Sequence, residues 1–149
     1  MPVLRIVTDI AAPVEVCFDL SGSIDLHVES MAASRERAVS GVTSGLIGEN
    51  EEVTWEARHF GIAWRVTSRI TEFQPPRHFV DEMIRGPFAS FRHEHYFESR
   101  QGRTRMTDVV RFRTRFSPLT PLTDLVAGAY LRRLMVRRNA TIRRQAEPH

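Results

Sequence analysis

The chain has 149 residues, 42% hydrophobic and 26% charged, which fits a single globular domain over 1–149 with a sizeable core. The lone cysteine, Cys17, excludes an internal disulfide framework and leads to an expected cytoplasmic setting; no apolar run approaches the roughly 20 residues that cross a bilayer, so no stable membrane insertion is expected. All 21 basic residues are arginine, and they are unevenly spread: ten acids face three arginines through Glu56 (net −7), and eight face eighteen from Ala57 onward (net +10).

Met1-Pro2-Val3-Leu4-Arg5 lacks the pattern of a signal peptide, and Val3 to Ile10 alternates as a first strand. Ala12-Pro13 opens a short helix that runs through Leu20, with Glu15 beside its positive end. Ser23 is placed to cap a second short helix, Ile24 to Met31. A strand around Glu36 to Ser40 precedes a loop containing Gly41, Gly45 and Gly48; without a Gly-Lys-Ser/Thr ending, that loop is no phosphate cradle.

From Glu51 the pattern turns to period two. Val53, Trp55, Ala57 and His59 share one face, and after Phe60-Gly61 an inward row follows of Ile62, Trp64, Val66, Ser68 and Ile70. Gln74-Pro75-Pro76 ends that strand, and Arg77 to Ile84 forms the next, with Phe79, Asp81 and Met83 on one side. Gly86 to Ser99 and Thr104 onward make the last hairpin. With Ser99 opposite Thr104, Phe97 faces Met106, His95 faces Asp108, His93 faces Val110 and Phe91 faces Phe112. A slip of one residue would bury Arg105, Arg111 and Arg113, so this register is expected.

Ser117-Pro118 stops the last strand, and a long helix is predicted from about Pro121 to Gln145. Leu122, Leu125, Val126, Ala129, Val136 and Ala140 form the stripe expected to face the core. Leu131, Met135 and Ile142 form a weaker row on the opposite side, where weak homodimer formation or a regulatory contact is expected. The helix arginines scatter around the wheel without interleaved aromatics, which argues against nucleic acid as a partner. Movement of the helix after Arg137 is the expected route of ligand entry.

The stretches IDLHVESM, ERAVSGVTSGLIGENEEVTWEARHFGIAWRVTSRITEF, PPRHFVDEMIRGPFASFRHEHYFE and TRMTDVV resemble the START/Bet v 1-like (SRPBCC) superfamily, in particular its small bacterial ligand-binding and polyketide cyclase-like members. The resemblance implies an α+β helix-grip fold: a curved antiparallel sheet of about seven strands wrapped around a long C-terminal helix, with two short helices after the first strand. It also implies a cavity for a hydrophobic or amphipathic small molecule such as a lipid or polyketide, and carries over no catalytic motif.

Within that frame, Trp55, His59, Trp64, Asp81, Met83, Phe91, His93, His95, Phe97, Met106 and Asp108 are the candidate ligand-binding residues. His93, His95 and Asp108 are the catalytic candidates, because a carboxylate beside an imidazole fixes its tautomer for the proton transfers of a cyclase or dehydratase. The same three also suit a polar cluster that only orients the hairpin. His-x-His beside Asp81 or Asp108 invites a metal, but no second ligand motif accompanies it, and neither metal nor cofactor is assigned. Cys17 lies in an apolar helix and is expected to be buried and inert.

Overall fold

The computed structural model describes residues 2–115 and 120–148. Its elements are β1 (Val3–Ile10), α1 (Val14–Ser21), α2 (Ile24–Ser30), β2 (Arg37–Gly41), β3 (Glu52–His59), β4 (Ile62–Gln74), β5 (His78–Arg85), β6 (Ser90–Arg100), β7 (Arg103–Arg113) and α3 (Thr120–Ala146). Seven strands form one curved sheet in the order β1-β7-β6-β5-β4-β3-β2, antiparallel throughout. This is the helix-grip architecture expected from the sequence. The predicted stop at Ser117-Pro118 lies outside the described residues.

Local chemistry explains most boundaries. Ser23 caps α2 by accepting a hydrogen bond from the Leu26 amide at 3.1 Å. Pro13 stands one residue before α1, at the cap position rather than inside the first turn. A single 3-10 turn, Ala32–Ser34, links α2 to β2 and has no apolar periodicity to announce it. At Gly41, φ is +75°, and an added Cβ would lie 2.2 Å from the Glu52 carbonyl oxygen, so only glycine fits there. Irregularities in pairing at Thr67/Ser68 and Ile70/Glu72 bend β4 around the core.

The last hairpin has the predicted register, including Phe97↔Met106, His95↔Asp108, His93↔Val110 and Phe91↔Phe112. Its outer face carries the expected arginines, and Arg92 and Arg111 both reach Glu94. On the concave side Phe18, Phe79, Phe97, Met106 and Ile142 belong to one core cluster, while Ile6, Val110, Phe112, Leu131 and Met135 form a second. Cys17 is buried in the first cluster, and burial pushes its thiol pKa up, as an inert packing residue requires.

The long helix is turned the other way from the sequence expectation. Leu131, Met135 and Ile142 are buried against the sheet, while Leu122, Leu125, Val126, Ala129, Val136 and Ala140 are exposed. Two features of the inner face decide the rotation. Gly128 lets α3 approach the sheet closely: a Cβ there would come within 3.3 Å of Phe112, which is itself fully buried. About three turns later, adjacent Arg138 and Asn139 reach the buried Asp108. A homodimer surface built on Leu131, Met135 and Ile142 is therefore ruled out, because the fold already covers them.

Candidate functional site

α3 packs mainly on β1, α1 and α2 and divides the concave face of the sheet into two regions. Under the helix, Asp108 on β7 is completely buried. Its Oδ1 meets Nε2 of His93 at 2.8 Å, its Oδ2 accepts a hydrogen bond from Asn139 Nδ2 at 2.8 Å, and Arg138 stands 3.5 Å away. Asn139 also donates to the Thr8 hydroxyl at 3.1 Å, and Arg138 to the Ser21 carbonyl at 3.3 Å. Strands β1, β6 and β7 are thus tied to α1 and α3 through one carboxylate. Burial alone would raise the Asp108 pKa, but the His93 hydrogen bond and the nearby positive charges hold it well below the usual carboxylate range.

Asp81, on β5, marks the edge of this cluster. Its Oδ2 meets His95 Nε2 at 2.6 Å and lies 3.9 Å from His93 Nδ1. Its side chain keeps 23% of its surface exposed, whereas Asp108 has none. Burial opposes ionisation here too, and the His95 hydrogen bond with the neighbouring charges outweighs it, so Asp81 titrates below its ordinary value. His95 is pushed down to about 4, by burial first and by the charge of His93 second. It is therefore neutral at pH 7.

The pairing differs from the sequence expectation in a specific way. His95 and Asp108 are cross-strand partners, yet His95 Nδ1 remains 3.5 Å from Asp108 Oδ1 and is buried without a hydrogen bond. The shorter contact goes to His93, the diagonal neighbour, since a long side chain reaches across a pleated pair to the adjacent position. His95 is also enclosed on both ring faces, by Phe79 at 3.9 Å and by His93 at 3.7 Å between centroids. A His95–Asp108 acid–base pair with open space beside the ring is not what the fold builds.

Asp81, His93 and His95 bring ligand-type atoms within 4.8 Å of one another. Yet the two imidazoles are stacked, 23° from parallel, so their lone pairs run side by side rather than converging on one point. The set does not fit a tetrahedral metal centre as it stands.

Beyond Asp81 the concave face is only half covered. Trp55, His59, Trp64, Val66, Met83, Phe88 and Phe91 are all partly exposed, and they join Asp81 along β3 to β6. His59 Nδ1 lies 2.7 Å from the Tyr130 hydroxyl, one of the points at which α3 touches this region; Leu134 and Ala127 share a cluster with Phe88 and Phe91. Burial holds the His59 pKa below its ordinary value. Of the candidate residues, Trp55, His59, Trp64, Asp81, Met83 and Phe91 thus keep part of their surface exposed, while Phe97, Met106, His93, His95 and Asp108 are buried. His27 pairs with Glu36 at 2.7 Å, and its ring lies 4.1 Å from that of Trp55, tilted by 31°. A pocket of about 50 Å³ bounded by Phe18, Ile47, Phe73 and Phe79 is too small for a lipid. A depression of about 410 Å³ bordered by Thr54, Arg65, Thr67 and Arg85 lies on the opposite, convex side.

Sequence reasoning missed Asn139 and Arg138. The available signal was energetic: two inward carboxylates need donors, and the helix is the one element left to supply them.

Among solved structures, the Zhui aromatase/cyclase of a Streptomyces species is 16% identical with a TM-score of 0.78, over 97% of this chain and 93% of that one. A START superfamily protein of Mycobacterium smegmatis is 9% identical with a TM-score of 0.73, over 96% and 98%. Ginseng major latex-like protein 151 from Panax ginseng is 15% identical with a TM-score of 0.71, over 99% and 98%. At these identities the likeness speaks for the fold alone. No curated protein matches the sequence. The family profile described as polyketide cyclase/dehydrase and lipid transport matches residues 1–147, so this chain belongs to that family, within the START/Bet v 1-like (SRPBCC) superfamily.

Proposed function

We propose that the protein binds an apolar or amphipathic small molecule in the groove between β3–β6 and the first half of α3. The observation that carries this reading is the position of Asp81: an ionised carboxylate at the edge of an aromatic and aliphatic surface, backed by a neutral imidazole. Trp55, Trp64, Met83 and Phe91 would cover the apolar body of the ligand, at about 25 cal/mol per Å² removed from water. Asp81 would accept a hydrogen bond from a ligand hydroxyl, with His95 holding its other side. Family membership supports the ligand class, a lipid or an aromatic polyketide.

The alternative is a cyclase or dehydratase in the same groove. Its chemistry needs a base whose pKa lies near neutrality. Both carboxylates are instead held low, and the free nitrogen of His95 points at Asp108 rather than into the groove. The arrangement favours binding over proton transfer.

A thermal-shift screen of fatty acids, phospholipids and aromatic polyketides, paired with native mass spectrometry, tests the reading. Hydroxylated ligands are expected to raise Tm in the wild type, and about tenfold less tightly in Asp81→Asn, the loss typical of one charge-assisted hydrogen bond. Ligands that bind Asp81→Asn and wild type alike would remove Asp81 from the site.

A further inference from the structure

Opposite its core face, α3 carries an apolar row that nothing in the described chain covers. Leu122, Leu125, Val126, Ala129, Val136 and Ala140 recur at the spacing of a single helix face, and Leu125 is 72% exposed. The row continues onto the sheet. Tyr130, one turn from Val126, has its ring 4.9 Å from that of Phe60 in the β3–β4 turn. Phe60 is 74% exposed, and Ile62 beside it is exposed as well. Six large apolar side chains on one surface exceed the scatter of single hydrophobics found on most monomers.

The charge around this row has one sign. Arg132, Arg133, Arg137, Arg143 and Arg144 are all exposed on the outward half of α3. The one acid within the helix, Asp124, turns away to accept hydrogen bonds from the Thr114 amide and hydroxyl. Among the described residues, Arg143 has a carboxylate partner in Glu147, while Arg132, Arg133 and Arg137 have none.

Such a face selects its occupant. Two copies packed through it would set arginines against arginines, with Glu147 already engaged by Arg143 and the Ala11 amide. An anionic bilayer meets both demands: the apolar row enters the headgroup–acyl boundary, and the guanidinium groups lie at phosphate level with their stems along the apolar surface. We propose that the outward face of α3, together with Phe60 and Ile62, docks on anionic lipid membranes. The attachment is peripheral, since no helix among the described residues is long and apolar enough to cross a membrane.

Cosedimentation of the full chain with vesicles of phosphatidylcholine alone, or with about 30% phosphatidylglycerol, tests the docking. The expected result is binding at least about tenfold tighter to the anionic vesicles at about 0.1 M salt, and its loss at about 0.5 M. Leu125→Glu, and separately the pair Arg133→Gln and Arg137→Gln, should each weaken binding about fivefold or more while leaving Tm unchanged, because all three residues are solvent-exposed. Absent binding, equal binding to both vesicle types, or binding that survives Leu125→Glu would overturn the proposal. So would a dimer, seen by light scattering, that Leu125→Glu dissolves in a chain that ignores vesicles; that result would assign the face to a second copy.

Discussion

Asp108 and Asp81 sit on the same concave face, each against one of two stacked imidazoles, yet they occupy different halves of the molecule. Asp108 lies where α3 presses on β1 and β7, and every neighbour within reach is a protein donor. Asp81 lies two strands away, where the helix withdraws and the aromatic wall opens. Coverage by one helix turns one carboxylate into a structural tie and leaves the other partly exposed, where the proposed ligand would meet it.

The sharpest way to break the comparison is to remove each carboxylate in turn. Asp108→Ala leaves a buried guanidinium, an imidazole and an amide without their partner, and should cost about 3–5 kcal/mol in urea unfolding. Asp81→Asn keeps the shape and stays partly solvated, so its cost should be about 1 kcal/mol. Equal losses would mean that the two halves are not distinct.

Acid should weaken the covered half next. His95 binds its proton only near pH 4 in the folded chain, but near 6.5 when unfolded. Between those values the unfolded state holds more protons, so stability falls as pH drops from about 6.5 to 4, at up to about 1.4 kcal/mol per pH unit for one proton. Below the ordinary carboxylate pKa, Asp81 and Asp108 act in the same direction, because both are depressed in the fold. Unfolding titrations of His95→Phe should show a flatter slope over that first interval; an unchanged slope would place the titration elsewhere.

Hydrogen exchange offers a milder contrast. The second half of α3, from Arg138 to Ile142, is anchored by Asp108, Thr8 and the core, while Leu122 to Val126 faces solvent on its outer side. Exchange should therefore be faster in the first half of the helix than in the second. The expectation from sequence concerns a different contrast, faster exchange after Arg137 than in the Phe91–Phe97 strand, and the same experiment reads both.

The orientation of α3 shows where the sequence ran out. Strict alternation across Phe91–Phe97 and Met106–Phe112 was enough to set the hairpin register, because any slip would have buried arginines. The orientation of α3 was a choice between two apolar rows, and the larger one misled. What turned the helix was a glycine facing Phe112 and an Arg-Asn pair seeking Asp108, neither of which adds to an apolar stripe. The site was legible as a set of inward residues on β5, β6 and β7. Which histidine meets which carboxylate depended on diagonal reach across the sheet, and that has no signature in residue spacing.

The central claim is that the uncovered half of the concave face is the ligand site. Both tryptophans, Trp55 and Trp64, border it, so their emission reports on occupancy. The most direct measurement is a fluorescence titration with the amphipathic probe anilinonaphthalene sulfonate on wild type, Met83→Trp and Leu125→Glu. Saturable binding that is weakened about tenfold or more by filling the groove at Met83, yet unchanged by Leu125→Glu on the outer face of α3, is the predicted result. Binding that ignores Met83→Trp, or that disappears with Leu125→Glu, would contradict it.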